Sequence, residues 1–154
     1  MNECGTCERV RQRDVGSAPL WDSIIRSDQW DVVHSYDTSL LGWIVLVPRR
    51  HIESIDELTD SEGHELGDLL RTVSSFLKRR LGCTKTYVMQ FAEHPLHPHV
   101  HFHVVPRMPD IPQENIGANV FNYLGVDAAV RISEDDMDRL AAQLRDELSG
   151  TAQS

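Results

Sequence analysis

The hydrophobic pattern changes its period along the chain, and each period predicts an element. Leu66, Leu69, Leu70, Val73, Phe76 and Leu77 recur at helical spacing. Thr59-Asp60-Ser61-Glu62 before them has the spacing of a capping box, and Lys78-Arg79-Arg80 followed by Gly82 has the composition of a helix end. A long helix is therefore predicted over about 60–80. A second apolar stripe, Met137, Leu140, Ala141, Leu144 and Leu148, predicts a helix over 134–148 with Ser133 as its cap. Elsewhere the period shortens. Ser23–Arg26 and Trp30–Tyr36 flank the turn-like Ser27-Asp28-Gln29 and read as a hairpin. Trp43–Val47, opened by Gly42 and closed by Pro48, reads as a strand, and so do Thr86–Phe91 and residues 99–105. Residues 1–20 are polar, broken by Gly5, Gly16 and Pro19, and read as an irregular arm; 106–119 reads as a loop. Strands outnumber helices and are mostly joined as hairpins, which predicts an α+β fold on an antiparallel sheet.

Composition narrows the picture. The 154 residues include 40% hydrophobic and 25% charged side chains, enough to build a core. Fifteen basic residues against 24 acidic ones give a net charge of −9, the wrong sign for broad nucleic-acid binding. The longest apolar run, Trp43–Val47, is of strand length, so no membrane span is expected. Met1-Asn2-Glu3-Cys4 lacks the basic region and apolar stretch of a signal peptide, and a cytoplasmic location is expected.

The candidate chemistry lies in the histidines and cysteines. Five of the eight histidines (His94, His97, His99, His101, His103) fall within ten residues. In His99-Val100-His101-Phe102-His103-Val104-Val105 imidazoles and apolar side chains alternate strictly. On a strand the imidazoles would share one face, spaced by about 7 Å, with Val100, Phe102 and Val104 on the other. Such a row suits a metal site, or nucleophilic attack on phosphorus with neighbouring imidazoles donating to the phosphoryl oxygens; a solvated polar face is the bland alternative. Cys4 and Cys7 form a C-x-x-C, a metal clip or redox pair in a reducing compartment, while Cys83 stands alone and reads as filler.

H-x-H-x-H followed by two apolar residues is the signature of the histidine-triad (HIT) superfamily of nucleotide hydrolases and transferases, which His99–Val105 resembles at every position. Gly42–Glu53 resembles the strand and turn before the family's long helix, and the likeness spans about 4–107. The resemblance implies a HIT-like α+β fold with an antiparallel sheet of about five strands and a long helix, to which the apolar stripe over 134–148 adds a C-terminal helix. It also implies a HIT domain over 1–110, with an N-terminal zinc-binding arm; residues 111–154, which the likeness does not cover, are expected to form an extension packing on the same domain. The implied activity is hydrolysis or nucleotidyl transfer at the α-phosphate of a nucleoside phosphate or dinucleoside polyphosphate. His101 would be the nucleophile of a covalent nucleotidyl-histidine intermediate, and His103 its catalytic partner. Gln90, His99, His97 and Asp37 would contact substrate or phosphate. The zinc-containing bacterial branch implies Cys4, Cys7, His51 and His99 as ligands of a closed, structural zinc, with no organic cofactor. A homodimer and a small-molecule nucleotide as partner are further implications. The alternatives are a HIT-fold nucleotide-binding module without turnover and a metalloprotein that uses the histidine strand as its site.

The chain departs from the family's pattern in three places. Ser35, flanked by His34 and Asp37, stands where relatives carry an acidic residue for the ribose. Glu93-His94-Pro95-Leu96-His97-Pro98 replaces the usual Gly-Gln or Gly-Ser pair before the triad, which leaves His94 or His97 as substitute donor or general acid. The segment around Asn119–Leu124 and the acidic helix after it are additions that would close over the site or pack at a dimer interface.

Overall fold

The computed structural model describes residues 3–151; Met1 and Asn2, at the start of the expected arm, lie outside them. Three α-helices, α1 (Gly5–Asp14), α2 (Asp60–Leu81) and α3 (Glu134–Thr151), accompany five strands. These are β1 (Ile25–Arg26), β2 (Trp30–His34), β3 (Ile44–Pro48), β4 (Lys85–Met89) and β5 (Phe102–Arg107). They form one antiparallel sheet in the order β1-β2-β3-β5-β4.

Local chemistry sets the junctions. The Ser27 hydroxyl accepts from the backbone N–H of Gln29 and of Trp30, at 3.2 and 2.9 Å, and turns the β1–β2 hairpin. His34 Nδ1–H donates to the Ser35 carbonyl at 2.7 Å, and its Nε2 accepts from the Gly42 N–H at 2.9 Å. This histidine thereby closes the loop between β2 and β3. Gly42 has φ +95°, and a Cβ there would stand 2.5 Å from Leu81 Cδ1, so the position requires glycine. The capping box of α2 forms as the sequence predicts: Thr59 Oγ1 accepts from the Glu62 N–H and the Glu62 carboxylate from the Thr59 N–H. Gly82, in the left-handed conformation, ends the helix.

The two sheet faces carry separate clusters. On one, Val32, Leu46, Phe102 and Val104 pack against Leu66, Val73, Phe76 and Leu77 of α2 and Leu140, Ala141 and Leu144 of α3. Cys83 belongs to the same buried set. On the other, Val33, Trp43, Val45 and Val105 pack with Val10 of α1 and Val120 of the C-terminal segment.

Several elements differ from the sequence expectation. Residues 5–14, expected to be irregular, form α1. Its one buried apolar side chain is Val10, so no apolar stripe advertises the helix. Charge anchors it instead. The buried Arg13 guanidinium donates to the Asp22 carbonyl (2.7 Å), the Asp22 carboxylate (2.8 Å) and Asp31 (3.2 Å). Asp31 also accepts from Arg26, and Asp14 at the end of α1 accepts from Arg26 and Arg49. Arg13→Ala is expected to cost about 3–5 kcal/mol, because it removes the buried partner of Asp22 and leaves Asp31 to Arg26 alone. Urea unfolding checks this, and a loss below about 1 kcal/mol, the size of a surface pair, would contradict it.

The histidine segment enters the ladder later than predicted, at Phe102, so His99 and His101 lie ahead of β5 while alternation of faces persists. β4 ends at Met89 rather than Phe91; Ala92 has φ +58°, and the chain turns away there. The 106–119 loop and the segment after it contain short 3-10 turns over Gln113–Asn115 and Gly117–Tyr123.

Candidate active site

The approach to β5 places His101 half-buried at the mouth of a cleft, with its Nδ1–H donating to the His99 carbonyl at 2.7 Å. That bond assigns the tautomer and leaves Nε2 with a free lone pair. His103, one pleat on, is buried, and its ring lies 4.9 Å from that of His101 in an edge arrangement. Trp43 Nε1–H donates to His103 Nδ1 at 2.9 Å, so a neutral His103 carries its proton on Nε2. Burial, with a smaller contribution from His101, pushes the His103 pKa down to about 3, which keeps it a neutral donor. A nucleophile with a free lone pair thus sits beside a fixed N–H donor.

The cleft has a volume of ≈ 580 Å³, and His97, Asp37, His101 and His103 all line it. Asp37 accepts from the Ser35 hydroxyl at 3.1 Å. His97 Nδ1 hydrogen-bonds with the Thr6 hydroxyl at 3.1 Å, and its ring lies 5.4 Å from that of His94. Gln90 and His99 are not among the lining residues. Gln90 falls past the end of β4, and His99 is fully buried with both ring nitrogens engaged elsewhere.

Two contributions were not foreseen from sequence. Arg9, on α1, lines the cleft. Phe121, from the C-terminal segment, stacks edgewise on both Trp43 (5.5 Å) and His103 (5.3 Å) and shields the donor pair. The helical spacing of Val10 and Arg13 around Arg9 carried no readable signal, and Phe121 meets His103 only through tertiary packing.

Cys4, Cys7, His51 and His99 converge on the far side of His99, with their donor atoms within 4.8 Å of one another. Cys7 Sγ lies 3.2 Å from His51 Nδ1 and 3.5 Å from His99 Nδ1; Cys4 Sγ lies 3.9 Å from His99 Nδ1, and the two Nδ1 atoms are 3.3 Å apart. Tetrahedral zinc, with bonds of about 2.3 Å to sulfur and 2.0–2.1 Å to nitrogen, requires edges of about 3.3–3.8 Å; Cys7, His51 and His99 stand close to that spacing, and a small inward movement of Cys4 completes the set. The outer nitrogens are also oriented. His99 Nε2–H donates to the Pro48 carbonyl at 2.7 Å, and His51 Nε2 faces the Glu53 carboxylate at 3.3 Å. Burial, then the neighbouring Cys4, pushes the Cys7 thiol up to about 11.

Two buried histidines make stability depend on pH. Burial lowers His34 to about 4 and His103 to about 3, below the ordinary 6.5. Between those limits the unfolded chain binds protons that the folded chain does not, so stability falls as pH drops from about 6.5 toward 4. The expected loss between pH 7.5 and pH 5 is on the order of a few kcal/mol in denaturant unfolding. Equal stability at both pH values would contradict it.

Among known protein families, the HIT domain matches residues 22–110. The chain belongs to the HIT family. Its match covers the sheet, α2 and the histidine segment; Cys4, Cys7, α1 and α3 lie outside it. None of the curated proteins matches this HIT chain. Solved HIT structures do. A Hit-like protein involved in cell-cycle regulation from Bartonella henselae is 15% identical, with a TM-score of 0.69 over 96% of this chain and 97% of that one. A zinc-bound histidine triad family protein from Mycobacterium smegmatis is 15% identical, with a TM-score of 0.68 over 97% of each chain. A hypothetical histidine triad nucleotide-binding protein from Sulfolobus tokodaii is 13% identical, with a TM-score of 0.67 over 94% of this chain and 93% of that one. At these identities the likeness is one of fold. No helix among the described residues is long and apolar enough to cross a membrane.

Proposed function

We propose that this HIT chain is a nucleotide hydrolase or nucleotidyl transferase that works through a covalent nucleotidyl-histidine on His101. The observation that carries the reading is the Nδ1–H bond from His101 to the His99 carbonyl, which aims the opposite lone pair into a cleft beside a neutral N–H donor. In the first step His101 Nε2 attacks the α-phosphorus. A P–N bond forms, the bond to the leaving group breaks, and the leaving group departs with the electron pair. The positive charge that develops on the ring is shared with the His99 carbonyl through Nδ1–H. The His103 Nε2–H donates to a phosphoryl oxygen, whose negative charge grows in the transition state. In the second step water, or an acceptor hydroxyl, attacks phosphorus and passes its proton to His97, replacing the one given to the leaving group in the first step. The P–N bond then breaks, and the electron pair returns to His101. His97 is positioned in the cleft to protonate the leaving group, and Asp37 to contact the ribose.

Cys4, Cys7, His51 and His99 are proposed as the ligands of a zinc ion, a reading supported by their spacing and by the zinc-bound fold relative. When bound, the ion would be closed to substrate by four protein donors and would act as a structural tie. His99 then has two duties. Its side chain would join the zinc set, and its carbonyl holds the His101 tautomer. This arrangement disfavours one ion shared by His99, His101 and His103, because both ring nitrogens of His99 point elsewhere. A small-molecule nucleotide as substrate, a homodimer and a cytoplasmic setting complete the reading, with 111–154 as an extension on the 1–110 domain. The nucleotide-binding fold relative supports the substrate class, and the packing of α3 on the sheet supports the extension.

The test is a panel of nucleoside phosphoramidates, dinucleoside polyphosphates and adenylated ends, assayed with wild type and His101→Ala. Turnover by wild type alone supports the enzyme. Binding without turnover would favour a HIT-fold nucleotide-binding module.

A further inference from the structure

Beside the histidine cleft lies a second depression of ≈ 630 Å³, and Arg9, Trp21 and Tyr36 line both. The shared wall gathers positive charge. The Tyr36 ring is 46% exposed, and two guanidinium groups stand over it, Arg9 at 4.8 Å and Arg131 at 5.8 Å from its centroid. Each gains from the ring's negative face, but two like charges on one ring repel. Arg9 is offset in part by Asp22, 3.7 Å away, a carboxylate already engaged by Arg13. Arg131 donates from Nε to the Val126 carbonyl at 3.0 Å, and among the described residues no carboxylate pairs with it. Glu134 is the single acid among the residues lining this depression.

Ser133 Oγ accepts from the Asp136 N–H and its hydroxyl serves the Asp136 carboxylate, so it caps α3 and is not a free donor. Trp21 is 7% exposed, and its Nε1–H is the buried side-chain polar atom without a partner among the described residues. Two guanidinium groups and an unpaired indole N–H, next to a cleft already read as phosphate-binding, are chemically matched to an oxyanion.

We propose that this depression is a second anion subsite, built by Arg9, Tyr36 and Arg131, which takes the distal phosphates of a ligand whose α-phosphate faces His101. The ligand class is a phosphate chain that spans the Tyr36 wall. The subsite rests on the nucleotide reading for the first cleft. Both of its guanidinium groups, Arg9 of α1 and Arg131 of the C-terminal segment, lie outside the matched HIT region, while Tyr36 lies within it.

Calorimetric titration separates the two claims. Inorganic pyrophosphate is titrated into wild type, Arg131→Gln and His101→Ala, and each of the common nucleoside monophosphates into the same proteins. Arg131 is exposed, so its replacement leaves the core intact, and a thermal melt verifies this. Arg131→Gln is expected to weaken pyrophosphate by about tenfold, the loss of one charge-assisted contact, and to change monophosphate binding less than about twofold. His101→Ala is expected to leave pyrophosphate binding within about twofold, since the two sites contact different groups. The subsite is overturned if pyrophosphate does not bind, binds Arg131→Gln as tightly as wild type, or depends on His101 instead. Failure of every monophosphate, with pyrophosphate still dependent on Arg131, would overturn the nucleotide reading and leave the subsite standing.

Discussion

His101→Ala is expected to abolish turnover, lowering kcat by a factor of roughly 10³ to 10⁶, as removal of a covalent nucleophile does elsewhere. The fold should survive, because the ring is only half-buried and its one hydrogen bond is to a backbone carbonyl. Metal content should not change, since no donor of the Cys4–Cys7–His51–His99 set is altered. Nucleotide binding should persist within a few-fold, because His103, Asp37 and the cleft walls remain. The combination is what distinguishes the reading. A general-base role for His101 would leave direct attack by water and a smaller loss, typically 10²–10⁴. Rapid quench with a good substrate, comparing burst and steady state in the two proteins, measures it.

Removing the metal clip is expected to give the second large effect. A site that binds zinc only in the folded state, with free zinc at a thousandfold its Kd, stabilises by about 4.1 kcal/mol. For a chain of this length that corresponds to roughly 8–16 °C in Tm. Cys4→Ser/Cys7→Ser and chelator treatment should therefore both lower the melting temperature, and zinc should restore the wild type but not the double variant. The clip also ties the N-terminus of α1 to the segment before β5, so its loss should loosen α1 and let the His99 carbonyl drift from His101. Catalysis should then fall along with stability. An unchanged melting temperature in chelator, with no zinc in the purified protein, would contradict the clip.

These expectations show which parts of the molecule could be read from residues. The α2 helix was legible because its apolar stripe, its Thr59–Glu62 capping box and its Gly82 stop are local and agree with one another. The histidine face was legible because alternation survives where the ladder does not: Val100, Phe102 and Val104 enter one core cluster while His103 meets Trp43 on the other face. The α1 helix was not legible. Its anchoring depends on Arg13 meeting Asp22 and Asp31, nine and eighteen residues away, and ion pairs leave no periodic trace. The end of β4 was not legible, because the turn at Ala92 sets it and the strand-like composition of Val88–Phe91 does not, which leaves Gln90 one residue beyond the strand. The dual position of His99 has the same origin. Its side chain and its carbonyl serve different neighbours, and only packing can assign them.

In the proposed reaction the nucleotidyl group passes to His101 before it reaches water. The stereochemical course at phosphorus tests this most directly. A substrate made chiral at the α-phosphorus by sulfur and oxygen isotopes would be hydrolysed by wild type and the configuration of the product determined. Two successive in-line displacements, first by His101 Nε2 and then by water, predict overall retention. Inversion would mean a single direct attack by water, and His101 would not be the nucleophile.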